Sequence, residues 1–110
     1  MTFQEQIKHP LWQKKRLEVL EHNEFACQEC YCDELTLHVH HPIYKKNAKL
    51  WEYDVSELKC LCEICHQETH EIDAKIKMIL VKTPLDFKPE IYKFIESLLI
   101  QYGILEEGEL

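Results

Sequence analysis

The sequence predicts a small α+β domain that is braced by a bound metal ion. Apolar residues recur at helical spacing in three stretches, and one stretch alternates apolar and polar side chains as a half-buried strand does. Two Cys-x-x-Cys pairs lie on either side of that alternating stretch. We expect a single domain over residues 1–110, with a core at about 10–82 and a C-terminal helix at about 86–103.

The first part of the chain contains one predicted helix and one predicted strand. Pro10 suits the first turn of a helix, and the apolar spacing continues that helix to a stop at Asn23. Residues 35–41 alternate with the period of a strand, and Pro42 limits it. Residues 43–44 can continue this strand as an edge, and residues 50–53 can form either a strand or an irregular loop.

Two further helices are predicted in the second part of the chain. Residues 66–82 contain neither Gly nor Pro, and the spacing of four apolar residues in them predicts a core-facing side: Ile72, Ile76, Ile79 and Leu80. Pro89 suits the start of a final helix, which Gly103 ends. Its apolar stripe consists of Ile91, Phe94, Ile95, Leu98 and Tyr102. We expect this stripe to pack either on the core or on a second subunit.

The composition restricts the class of protein. The chain has only two Gly and four Pro, which excludes collagen-like and linker-dominated chains. Its net charge of -7 argues against a protein that coats nucleic acid by bulk attraction. No export signal and no run of apolar residues long enough for a bilayer is evident, so we expect a cytoplasmic protein with reduced thiols.

Four of the six cysteines form two knuckles, Cys27-x-x-Cys30 and Cys62-x-x-Cys65. Four thiolates in a tetrahedral array suit Zn²⁺, so a closed structural zinc site is the favoured interpretation, with iron and a disulfide pair as competitors. The other two cysteines each lie two residues from a knuckle cysteine: Cys32 and Cys60. Either of them can substitute as a ligand, although a free thiol near the site is the simpler expectation.

The histidines show two patterns that metal chemistry uses. His66 and His70 are four residues apart on a predicted helix, so both imidazoles can face one ion. His40 and His41 are adjacent on a strand and point to opposite faces, which suggests one ligand and one base. A zinc protease has Glu after the first helical His, and this chain has Gln67 there. Protease activity is therefore disfavoured.

These motifs together resemble the HNH endonuclease family, the ββα-metal or His-Me finger nucleases. The resemblance covers residues 10–70 and depends on the following segments: Trp12 with Lys15-Arg16, the Cys27 knuckle, the run Leu37 to Tyr44, Trp51-Glu-Tyr53, and Leu61-Cys-x-x-Cys-His-x-x-x-His70. It implies a zinc-braced ββα-metal core, flanked by N-terminal and C-terminal helices, that hydrolyses phosphodiester bonds in DNA, which we expect to be double-stranded.

The resemblance also implies a role for each matching residue. His41 corresponds to the general base, and the ligands of the catalytic divalent cation (Mg²⁺, Mn²⁺, Ni²⁺ or Zn²⁺) correspond to His40, His66 and His70. The family has an orienting Asn nine residues before the first helical His, and here that position is Glu57. This difference leaves two possibilities for orienting the base: the Glu57 carboxylate forms a hydrogen bond with it, or a backbone carbonyl does so instead.

Candidate partners are DNA and a second copy of the chain. The residues expected to contact DNA are Lys14, Lys15, Arg16, Lys45, Lys46 and His38, although runs of charge are more often solvated faces. The apolar stripe of the last helix favours a homodimer. Two functions compete with a nuclease: a non-catalytic zinc module that binds nucleic acid or protein, and a thiol redox protein. The redox alternative depends only on the Cys-x-x-Cys pairs.

Overall fold

The computed structural model describes all 110 residues as a small α+β chain with a two-stranded sheet and four helices. The chain divides into two compact units, Met1–Glu71 and Ile72–Leu110. The elements in chain order are α1 (Phe3–Ile7), α2 (Pro10–His22), β1 (Leu37–His40), β2 (Lys59–Cys62), α3 (Glu63–Lys82) and α4 (Lys88–Gln101). Two 3₁₀ turns lie at Val55–Glu57 and Leu85–Phe87.

The first unit begins with two helices whose starts are capped by side chains. The Thr2 hydroxyl accepts a hydrogen bond from the Glu5 N–H, and the Glu5 carboxylate accepts one from the Thr2 N–H, which is a capping box at the start of α1. α2 begins at Pro10, as predicted, because His9 Nδ1 caps the helix by accepting from the Leu11 N–H. It ends before Asn23, which confirms the predicted stop.

β1 and β2 form an antiparallel pair in which Leu37 faces Cys62 and His40 faces Lys59. β1 is shorter than predicted at both ends, and segments 43–44 and 50–53 form irregular loop rather than strand. Pro42 supplies no N–H for a ladder, and Asn47 adopts φ 63°, so the chain turns away from the sheet after His41.

The core of the first unit consists of two clusters, and Leu37 of β1 packs against both. One contains Val19, Leu20, Tyr53, Leu58 and Cys60. The other contains Cys27, Leu61 and Cys62, and all three of these side chains are fully or almost fully buried. α2 packs on both strands, so the strand ends that carry the cysteine and histidine motifs lie on a fixed support.

α3 begins three residues earlier than predicted, directly after β2, and its second half enters the second unit. The prediction that Ile72, Ile76, Ile79 and Leu80 face a core is wrong, because their exposed fractions range from 37% to 64%. Helical spacing identifies an apolar side of a helix but not whether anything covers it. α4 begins at Lys88, one residue before the predicted Pro89, and Gly103 follows it with φ 71°.

None of the four helices is both long enough and apolar enough to cross a lipid bilayer.

Candidate metal centres and catalytic cavity

Four cysteines converge at the junction between the sheet and α3. Cys27 and Cys30 lie in the loop after α2, Cys62 ends β2, and Cys65 lies in the first turn of α3. Their sulfur atoms all lie within 4.8 Å of one another, and the Cys30 and Cys62 sulfurs are 3.7 Å apart. Sulfurs placed tetrahedrally about 2.3 Å from zinc are about 3.8 Å from each other. The four-cysteine cluster can therefore hold a structural zinc ion.

Backbone groups favour the thiolate of one cysteine in the cluster, Cys27, whereas burial and the neighbouring thiols raise the pKa of Cys65. The loop that carries the first knuckle is closed by hydrogen bonds from the Tyr31 N–H to the Cys27 carbonyl and from the Cys27 N–H to the Cys32 carbonyl. Burial alone raises the pKa of Cys27, but N–H groups of Cys30, Cys62 and Glu29 surround its sulfur and lower the pKa to about 6. Since the thiolate is the form that binds metal, this arrangement prepares the site for a cation.

The two remaining cysteines lie outside the four-cysteine cluster. Cys60 is fully buried and belongs to the other core cluster. Its thiol donates to the Ala26 carbonyl at 3.4 Å, and its N–H donates to Gln28 Oε1 at 2.9 Å. Cys32 is half-buried, and its carbonyl takes part in closing the knuckle loop. The set of candidate ligands is therefore Cys27, Cys30, Cys62 and Cys65.

Three histidines form a second cluster at the end of β1 and on one face of α3. A ring nitrogen of each of His40, His66 and His70 lies within 4.8 Å of the others. The Nε2 atoms of His66 and His70 are 2.9 Å apart. Two nitrogens bound at right angles to an ion about 2.1 Å away are separated by about 3.0 Å, so the spacing suits ligands of one cation.

The electrostatics of this histidine cluster also suit a cation. Burial, and then the neighbouring imidazoles of His70, His38 and His40, lower the pKa of His66. His66 is therefore neutral at neutral pH, and the neutral imidazole is the form that donates a lone pair to a metal. The cluster consists of imidazoles alone, so the ligand atoms that it offers to a metal ion are all nitrogen.

His41 directly follows the end of β1 and is not part of the histidine cluster. Its ring is 6% exposed and lies parallel to the Tyr44 ring at 5.0 Å, with Trp12 and Tyr53 on its other sides. Its Nε2 is 3.1 Å from the Leu50 carbonyl oxygen. Because a carbonyl can only accept, the Nε2 atom carries the hydrogen, and Nδ1 keeps the lone pair of the neutral ring.

Glu57 lies elsewhere in the loop. Its carboxylate contacts Lys45 Nζ at 2.7 Å and accepts from the Asp54 N–H at 2.9 Å, which caps the 3₁₀ turn at Val55–Glu57. The hydrogen bond to Lys45, and then that from Asp54, lower the pKa of Glu57. Of the two arrangements expected for the base, the structure therefore contains the backbone carbonyl and not the Glu57 carboxylate.

His41 and the three histidines of the cluster line one cavity of about 400 Å³. Arg16 and His38 also lie in its wall. The Arg16 guanidinium donates to the Leu37 carbonyl at 3.2 Å, which leaves further N–H groups on the same side chain. His38 stacks on the ring of His66 at 5.0 Å. The cavity therefore places imidazoles and one guanidinium around a space that is large enough for a phosphodiester group.

The other residues expected to contact DNA are distributed along the surface. Lys14 and Lys46 are exposed, while Lys15 pairs with Glu18 at 3.2 Å. Lys45 is held by Glu57 and lies over the Tyr53 ring at 4.9 Å. Of the expected nucleic-acid contacts, only Arg16 and His38 border the histidine cavity.

Sequence reasoning missed the contributions of Leu50 and of α1. Leu50 acts through its backbone carbonyl, which every residue type has, so no side-chain pattern could have marked it. α1 contributes Phe3 and Ile7 to the cavity wall. The Thr2–Glu5 capping pair was the available signal for this short helix.

No protein-family model, no curated protein and no solved structure matches the chain.

Proposed function

We propose that this chain is a metal-dependent endonuclease of the HNH type that hydrolyses phosphodiester bonds of DNA. One observation carries the proposal: three imidazoles from β1 and α3 converge to within 4.8 Å, while the neighbouring His41 lines the same cavity from a separate hydrogen-bonded position. A ligand set and an unligated base side by side are what metal-assisted hydrolysis requires.

The cysteine and histidine clusters are mechanically linked in this proposal. Cys65 and His66 are adjacent in the first turns of α3, and Cys62 immediately precedes that helix. An ion in the four-cysteine cluster therefore fixes the start of the helix that carries two of the three imidazoles. Structural zinc thus acts on the reaction only by positioning His66 and His70.

The reaction assigns distinct tasks to the side chains. A divalent cation held by His40, His66 and His70 would supply positive charge that stabilises the phosphate and the leaving 3′ oxygen. His41 accepts a proton from water at Nδ1 as the water oxygen attacks phosphorus and the bond to the 3′ oxygen breaks. The leaving oxygen then takes a proton from solvent. Arg16 holds a non-bridging phosphate oxygen with the N–H groups that Leu37 does not use.

Plasmid cleavage tests the proposal directly. Purified protein is incubated with supercoiled plasmid and Mg²⁺, Mn²⁺ or Ni²⁺, with and without chelator. We expect chelator-sensitive nicking, a fall of about 10²–10⁴-fold in His41→Ala, and no change in His22→Ala, a matched exposed histidine at the end of α2. Equal nicking by wild type and His41→Ala, or none by wild type with any cation, contradicts the nuclease assignment.

The net charge of -7 favours a second candidate, a non-catalytic zinc module that binds a protein or nucleic acid. In that case the four-cysteine cluster retains its ion and the histidine cavity has no hydrolytic role. Elemental analysis combined with the plasmid assay separates the two functions. Tightly held zinc without any cleavage supports the module, whereas zinc together with cation-dependent cleavage supports the nuclease.

A further inference from the structure

The backbone of Leu50 connects the N-terminal helix to the proposed base. The Leu50 N–H donates to Gln6 Oε1 at 2.8 Å, across 44 positions of sequence, and the bond is partly buried. The carbonyl of the same residue accepts from His41 Nε2 at 3.1 Å. Gln6 and His41 are therefore joined through the two polar backbone groups of one residue.

A second contact from the N-terminal segment holds the next residue. The ring of His9 stacks on Trp51 with centroids 4.4 Å apart and planes 24° apart. The Leu50 side chain itself is 5% exposed. Leu50 is thus held on its N-terminal side by the hydrogen bond from its N–H to Gln6, and on its C-terminal side by the His9–Trp51 stack. The direction of its carbonyl depends on both contacts.

Gln6 is itself fixed in one orientation. Its backbone N–H donates to the Thr2 carbonyl within α1 at 3.0 Å, and its Nε2 donates to the Met1 carbonyl at 3.4 Å. This second bond turns the amide nitrogen toward Met1 and leaves Oε1 for Leu50. The backbone carbonyls of Met1 and Thr2 therefore help to fix the acceptor that Leu50 uses.

We propose that Gln6 is a positioning residue, which acts through Leu50 to hold the His41 ring with its hydrogen on Nε2 and its lone pair on Nδ1. The inference depends on the proposed function, because it assigns Gln6 to the orientation of the general base. Without the Gln6 acceptor, the Leu50 N–H loses its partner and the following carbonyl is free to rotate away from His41. The histidine cluster lies on β1 and α3, whereas the hydrogen bonds of Gln6 join it to Met1, Thr2, His9 and Leu50.

Three variants of the full chain separate orientation from packing. Gln6→Met keeps the length of the side chain and removes the acceptor, so we expect kcat for cleavage to fall about 10-fold, with KM and metal affinity unchanged. Gln6→Glu keeps an acceptor oxygen, so we expect it to recover most of the rate. Gln4→Met makes the same change at an exposed position of the same helix and leaves the rate at its wild-type value.

Nuclear magnetic resonance supplies a readout that does not require cleavage. The ¹⁵N shifts of the His41 ring report which nitrogen carries the hydrogen, and amide exchange reports the protection of the Leu50 N–H. In Gln6→Met we expect mixed His41 tautomers and faster Leu50 exchange, with neither change in Gln4→Met. These signals test the Gln6 contact even if the wild type cleaves no DNA, a result that would overturn the proposed function separately.

Two results would overturn the inference. The first is a Gln6→Met variant with wild-type kcat and an unchanged His41 tautomer. The second is a loss in Gln6→Met of metal affinity and thermal stability together with rate, which would make Gln6 a general packing residue. A loss of rate confined to kcat, with Gln6→Glu active, supports the positioning role.

Discussion

Replacing Cys62 by Ser is expected to release the structural ion and destabilise the first unit. Cys62 ends β2, is 1% exposed, and its sulfur lies 3.7 Å from that of Cys30. Structural zinc contributes about 10–16 kcal/mol in small domains, and this contribution is lost when the ion is released. Since a whole domain is stable by about 5–15 kcal/mol, the loss is comparable to the total stability of the first unit.

Cys60→Ser is the matched control for this substitution. Cys60 lies in the same strand, is equally buried, and donates to the Ala26 carbonyl instead of facing the four-cysteine cluster. A serine hydroxyl can make the same hydrogen bond, so we expect a cost of about 1 kcal/mol and full retention of metal. In thermal denaturation this corresponds to a fall in Tm of about 4–8 °C, and we expect a much larger fall for Cys62→Ser, which loses the ion.

The assay combines elemental analysis with thermal denaturation, each with and without chelator. We expect one tightly held zinc per chain in wild type and in Cys60→Ser, and none in Cys62→Ser. Chelator should lower the Tm of wild type to that of Cys62→Ser, and should lower the Tm of Cys60→Ser at least as far. Equal loss of metal in both variants would refute the ligand set, and a wild type without a bound ion would refute the zinc site as a whole.

Three other results are expected. His40→Asp adds a hard oxygen donor, so calorimetric titration should show tighter Mg²⁺ binding relative to Ni²⁺ than in wild type. Because Lys45 is the main cause of the lowered pKa of Glu57, Lys45→Met should raise that pKa in a carboxyl NMR titration. The stabilisation from this contact is present above the ordinary carboxyl pKa and is lost as pH falls through the lowered value. The second unit has no buried residue, and units this small depend on association. Ile95→Asp in its apolar groove of about 350 Å³ should therefore convert a dimer to a monomer in sedimentation. Ser97→Asp, at an exposed position outside both the groove and the apolar stripe, should not.

The elements that local sequence patterns specify were predicted well. Pro10 and Asn23 marked the ends of α2 because proline suits the first turn of a helix and the apolar spacing ends at Asn23. The i, i+4 spacing of His66 and His70 predicted their common face, and their Nε2 atoms are indeed 2.9 Å apart. Spacing was sufficient here because all the relevant geometry lies within one helix or one knuckle.

Contacts between distant segments could not be predicted in the same way. The burial expected for Ile72, Ile76, Ile79 and Leu80 was wrong because a helical stripe carries no information about what covers it. The sequence also could not identify the hydrogen-bond partner of His41, since Leu50 contributes its backbone carbonyl, a group that every residue type has.

The amino-acid sequence alone determined which side chains are available for metal binding and which of them share a helix face or a knuckle, because those relations follow from the fixed period of the backbone. Three features were settled only by the tertiary structure. His40 lies close to the two imidazoles on α3, Cys60 lies outside the four-cysteine cluster, and the Leu50 carbonyl accepts a hydrogen bond from His41. Such choices depend on how loops close and how α2 packs on the sheet, and these are properties of the whole first unit rather than of any local pattern.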